Sequence, residues 1–151
     1  NHEALIGHLF DQVAPKGALA FQIPRTVDSP LRRAILEVAD EPAWRERMES
    51  VKNAGALTIE KPSFYYDTLA KLSASIDIWE TEYHHIMENP EAVVDWIYST
   101  GLRPFLGALD TDKEKQRFVS LLNEKVVSAY PRRRNDKVIF PFRRLFVVAY
   151  R

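Results

Sequence analysis

Apolar residues in this chain change period along the sequence, and the change recurs. Ala4, Leu5, Leu9, Phe10 and Val13 repeat at helical spacing, so residues 2–13 predict an amphipathic helix. Pro15-Lys16-Gly17 punctuates a turn. Ala18-Leu19-Ala20-Phe21-Gln22-Ile23 follows as a short apolar run closed by Pro24. A continuous run of this length predicts a strand covered on both faces, as in a parallel sheet. Helix, tight turn and buried strand together make one unit of an α/β fold.

The helical period then takes over. Ser29-Pro30 supplies a hydroxyl cap with Pro at the first helical position, continued by Leu31, Ala34, Ile35 and Val38. Pro42 opens a second helix through Trp44, Met48 and Val51, with Asn53-Ala54-Gly55 as its stop. Ser63 is a candidate cap for a third, with Tyr66, Leu69 and Leu72 facing inward. Period two returns between Ser75 and Met87, where Ile76, Ile78 and Glu80 alternate with Asp77, Trp79 and Thr81. Asn89-Pro90 starts a helix with Val93, Trp96 and Ile97 on one face, and Gly101 to Pro104 breaks it. Thr111 and Glu114 form a capping box ahead of a long helix with Phe118, Leu122 and Val126 inward. A β-rich segment, Val138 to Arg151, closes the chain, with Pro141 at a bulge or edge position.

Length and charge narrow the class. A chain of 151 residues is most often one domain. The expected organisation is a single partial domain over 1–151, with sheet elements and a flanking helix at 1–24, 73–87 and 136–151. Residues 25–72 and 88–131 are expected to form a helical cap on that sheet. With 21 basic and 21 acidic residues the net charge is zero, which argues against a phosphate-backbone binder. The basic cluster Arg132-Arg133-Arg134 is short and flanked by Pro131 and Asn135, as in a solvated loop. There are no cysteines, hence no disulfides and no thiolate chemistry, in keeping with a cytoplasmic setting. No apolar stretch approaches the ~20 residues needed to span a bilayer. His84 and His85 point to opposite faces of a strand and cannot share one ion, so no metal is expected.

Several stretches resemble the trans-aconitate methyltransferase family. They are His2 to Pro24, Asp77 to His85, Asp95 to Phe105, Tyr130-Pro131, and Arg144 to Ala149, in order along nearly the whole chain. Asp95-Trp96-Ile97 through Thr100-Gly101-Leu102-Arg103-Pro104-Phe105 is the most specific. The resemblance implies the carboxyl-terminal part of a doubly wound, Rossmann-like sheet with a helical cap and a final antiparallel strand. It implies transfer of a methyl group from S-adenosylmethionine to a carboxylate of a small polycarboxylic acid. Another small or carrier-bound acceptor, or a non-catalytic binding fragment, are the alternatives. The family's cofactor loop, an Asp-x-Gly-x-Gly pattern, has no counterpart here, where Gly7, Gly17, Gly55, Gly101 and Gly107 are scattered. The cofactor-holding half is therefore expected upstream of Asn1 and the isolated chain is expected to be inactive. Arg25 and Arg143 stand where the family carries other residues.

Methyl transfer to a carboxylate needs alignment and exclusion of water more than a base, because the acceptor is already ionised. Arg103 is the leading candidate anchor, since a guanidinium can grip a carboxylate with two parallel bonds. Arg144 is preferred over Arg143, which lies on the opposite strand face. Arg25 follows a strand end, where ligands of α/β sheets gather. Tyr65 and Tyr66 offer hydroxyls. Against these stand plainer roles: helix capping for Arg103, surface exposure for Arg25, core packing for the tyrosines, Trp79 and Trp96. Gln22 is expected to satisfy buried backbone. An open sheet edge is expected to favour self-association.

Overall fold

The structure, a computed structural model, describes residues 1–53 and 60–151. Along the chain run helix α1 (His2–Asp11), strand β1 (Ala18–Pro24), and helices α2 (Pro30–Ala39), α3 (Arg45–Asn53) and α4 (Pro62–Leu69). Strand β2 (Ser75–Met87) follows, then helices α5 (Glu91–Tyr98), α6 (Arg103–Gly107) and α7 (Asp112–Ala129), and strand β3 (Val138–Tyr150). The strands form one sheet in the order β1-β3-β2, with β1 antiparallel to β3. This is a mixed α/β architecture whose final strand is antiparallel. The expected stop of α3 at Ala54-Gly55 lies outside the described residues. No helix among the described residues is long and apolar enough to cross a membrane. The chain divides into two compact units. One comprises Asn1–Thr26, Ile59–Tyr83 and Phe142–Arg151, and the other Val27–Thr58 and His84–Pro141.

In the first, sheet-bearing unit, β1 and β3 pair from Ala18 opposite Tyr150 to Pro24 opposite Arg144. Directly opposed residues share a face. Leu19, Phe21 and Ile23 therefore lie with Ala149, Val147 and Leu145, and this face packs against Ile6 and Phe10 of α1 and Tyr65 and Leu69 of α4. The other face of β1 is exposed, which corrects the expectation of a strand covered on both sides. The apolar run was continuous only because Ala18 and Ala20 fill the outward positions, where a methyl group exposes little surface. Gln22 is likewise outward and not buried among backbone groups.

Two helix faces also differ from expectation. On α1 the buried residues are Ile6 and Phe10, whereas Leu5 and Leu9 are exposed. α4 starts at Pro62 with Lys61 as an N-cap that makes no side-chain bond, so Ser63 is not the cap. That frame turns Tyr65 and Leu69, an i,i+4 pair, onto the sheet and leaves Tyr66 and Leu72 outside. Gly17 is required in the turn before β1. A Cβ there would meet Ala14 O and Val13 Cγ1, each at 2.9 Å, beside Lys16 at φ 63°. Arg151 secures the same corner. Its Nη1 donates to the carbonyls of Phe10, Asp11 and Val13 at 3.2, 2.9 and 2.8 Å, satisfying orphan acceptors at the end of α1.

The helical unit is organised by α7. Thr111 and Glu114 form the capping box, and Phe118, Leu122 and Val126 are fully buried, as the sequence pattern predicts. Helices α2 and α5 both pack on α7. Ser29 caps α2 by accepting from Arg32 N at 3.1 Å, and the Tyr130 hydroxyl accepts from Leu31 N at 3.1 Å. Trp44 is buried between its Nε1 bond to Val38 O, 2.8 Å, and the Phe118 ring. On α5 the buried positions are Val93, Val94 and Ile97, while Trp96 is 41% exposed. Trp79, at 45%, is not core either; it stacks on Phe146 at 5.2 Å on the outward sheet face. A large ring on a half-covered surface satisfies the same periodicity as a core ring.

Candidate functional site

The residues singled out from the sequence fall in both units. Arg25, Tyr65, Tyr66 and Arg144 belong to the sheet unit and Arg103 to the helical unit. In the sheet unit the arginines are held by neighbours. Arg25 continues β1 by donating its amide to Arg143 O at 2.8 Å, and its Nε is ion-paired with Glu80 of β2. Arg143 Nη2 donates to Glu82 at 3.1 Å, and its Nε lies 3.8 Å from Glu80. These four side chains alternate in sign across the end of the sheet. Arg144 points to the other face, as strand alternation requires, where Nη1 donates to Gln22 Oε1 at 2.8 Å. Its guanidinium also lies 5.0 Å from the centre of the Phe142 ring.

The two tyrosines separate. Tyr65 is 1% exposed, hydrogen-bonded through its hydroxyl to His2 Nδ1 at 2.8 Å, and flanked by Phe21 and Phe64. Burial pushes its phenol above the ordinary value. Tyr66 is 54% exposed.

Arg103 stands differently. It opens α6, one residue ahead of Pro104, and its guanidinium makes no hydrogen bond or ion pair among the described residues. It lines a cleft of about 510 Å³ together with Tyr98, Ser99, Leu106, Gly107 and Lys115. Lys115 brings a second cation, held among the described residues only by an i,i+3 pair with Asp112 at 3.4 Å. Exposed pairs of this kind contribute little and exchange readily for another anion. The sequence pattern did not single out Lys115, Tyr98 or Ser99. Lys115 is twelve positions from Arg103, and the packing of α5 on α7 that sets Lys115 beside Tyr98 leaves no mark in local spacing.

The fold and this site together define a mixed α/β protein: a small antiparallel sheet backed by helices on one face, and a helical unit carrying a two-cation cleft. The relatives are more specific. Over 150 residues, 99% of the chain, it is 37% identical to the trans-aconitate 2-methyltransferase of Yersinia pseudotuberculosis serotype O:1b (strain IP 31758). It is 37% identical to that of Yersinia pestis (strain Pestoides F), and 38% to that of Methylobacterium radiotolerans, over the same length. The family resemblance read from the residues is thus shared with homologues along essentially the whole chain. The chain spans 57% of the length of each of these relatives. No protein-family model matches the sequence.

Proposed function

We propose that this chain is the substrate-side portion of an S-adenosylmethionine-dependent methyltransferase that esterifies a carboxylate of a small polycarboxylic acid of the trans-aconitate type. The observation that carries the reading is identity of 37–38% over 99% of the chain with proteins bearing that name. The order β1-β3-β2 with an antiparallel β3 suits the end of a doubly wound, Rossmann-like sheet. Arg103 binds the acceptor carboxylate in the cationic cleft; Arg144, Arg25, Tyr66 and Tyr65 are weaker candidates because the arginines are engaged, Tyr65 is buried and Tyr66 is more than half exposed. The acceptor is ionised at neutral pH, so no side chain has to remove a proton. The setting is proposed to be cytoplasmic.

The described residues do not fit the cofactor. A ribose diol is ordinarily taken by a free carboxylate near a strand end, but at the end of β1 the carboxylate of Glu80 is committed to Arg25. The cofactor contacts are accordingly assigned to sequence beyond these 151 residues. Calorimetric titration of the chain with S-adenosylhomocysteine tests this assignment. No saturable heat is expected. Micromolar binding would overturn the division of labour. Methyl transfer from labelled S-adenosylmethionine to trans-aconitate is expected from the complete protein that contains these residues, and not from the 151-residue chain alone.

A further inference from the structure

Among the described residues only two buried side-chain atoms lack a hydrogen-bond partner, Arg32 Nε and Asn123 Oδ1. A buried acceptor left unpaired costs free energy, and in a native structure it needs a reason. Asn123 lines a second cleft, of about 490 Å³, whose other walls include Gln116, Ser120, Tyr98 and Lys115. Tyr98 and Lys115 are also walls of the Arg103 cleft, so the two openings are neighbours. Lys115, Gln116, Val119, Ser120 and Asn123 recur at three- and four-residue intervals and form one stripe of α7. At 1.5 Å per residue, Asn123 lies about 12 Å along the helix from Lys115.

The geometry points to a single groove for an extended anionic ligand. Its anionic group sits between Arg103 and Lys115, displacing Asp112 from the lysine. An amide N–H or hydroxyl farther along the ligand donates to Asn123 Oδ1. Tyr98, 48% exposed at the end of α5, walls both halves and offers a ring against the linking atoms. The inference rests on the reading of Arg103 as an acceptor anchor. It adds that the groove takes carboxylates or phosphates borne on an arm with hydrogen-bond donors, beyond compact tricarboxylates.

Binding to the 151-residue chain tests this without methyl transfer, so its failure is separable from failure of the methylation reading. Two probes are titrated by calorimetry and amide chemical shifts. One is pantothenate, a carboxylate with amide and hydroxyl donors. The other is 4′-phosphopantetheine, a phosphate with two amides. Saturable binding of at least one is expected, with shifts along α7 from Lys115 to Asn123; the tighter probe identifies the anion. The double variant R103A/K115A should weaken that probe at least 30-fold without a change in melting temperature. Asn123→Leu should weaken it about tenfold while melting no lower than the parent, because it removes an unpaired oxygen. Asn123→Ser reads the same loss should the leucine variant be unstable. No binding by either probe, full affinity in R103A/K115A, or full affinity in both Asn123 variants would overturn the proposal.

Discussion

Arg47 shows how a single side chain can tie two others. Its Nη2 donates to Glu114 Oε1 at 2.6 Å, and its Nη1 pairs with Asp110. The Arg47 guanidinium, helped by the amides of Asp110 and Thr111, holds the Glu114 carboxyl down at about 2, against 4.5 ordinarily. A carboxyl lowered on folding stabilises the fold above its unfolded value and loses that contribution as pH falls toward the folded one. The melting temperature is therefore expected to drop between pH 4.5 and about 2. Glu114→Gln should flatten that drop, while lowering stability at neutral pH because the capping box loses its charge-assisted bonds. Thermal melts from pH 2 to 7 check both; an unchanged acid slope in the variant would dismiss Glu114 as a contributor. The cap itself could be read from Thr111-x-x-Glu114, but Arg47 could not. It reaches Glu114 across 67 positions, and no local rule pairs them.

Helix α7 carries most of the stability argument for its unit. Phe118 is fully buried, with its ring 5.7 Å from Trp44 and 6.2 Å from Phe105. Phe118→Ala would leave a cavity beside Trp44 and Phe105 and is expected to cost about 3–5 kcal/mol. Chemical denaturation should show it, and a cost under 1 kcal/mol would mean the site collapses or the unit is not cooperative. Long elements with strong periodicity, such as α7, matched their sequence pattern in start, cap and buried face. Among the shorter ones α2 matched too, whereas α1 and α4 slipped by a residue. In α1 and α4 too few turns exist to define a stripe, so neighbouring apolar positions compete and tertiary packing chooses between them. The choice fell on Ile6 over Leu5 and Tyr65 over Tyr66 because those positions meet Leu145, Val147 and Ala149 of β3.

For the whole molecule, the uncovered part of the sheet matters most. β1 is an edge strand, and its outward face joins Ala18, Ala20 and Gln22 to Val148, Phe146 and Trp79, with Tyr150 donating to Asp77 at 3.2 Å. Unpaired strand edges invite pairing with another chain. We propose that a second copy occupies this edge when the 151-residue chain stands alone. Sedimentation velocity should show concentration-dependent association, and Ala20→Lys, on the exposed face, should reduce it. A single monomeric species at all concentrations would refute the proposal.

The sequence by itself determined the three strands and the helices other than α6, the capping of α2 and α7, the opposite facing of Arg143 and Arg144, and the family resemblance. All of these rest on local periodicity, on caps within four residues, or on short motifs. Tertiary structure alone decided which face of β1 is covered, which arginines are engaged, and that Lys115 lines the cleft of Arg103. Those outcomes depend on side chains far apart in the chain, meeting through strand register and helix packing. Local spacing encodes the element and its alternation, but the partner across the gap is set by how the elements dock.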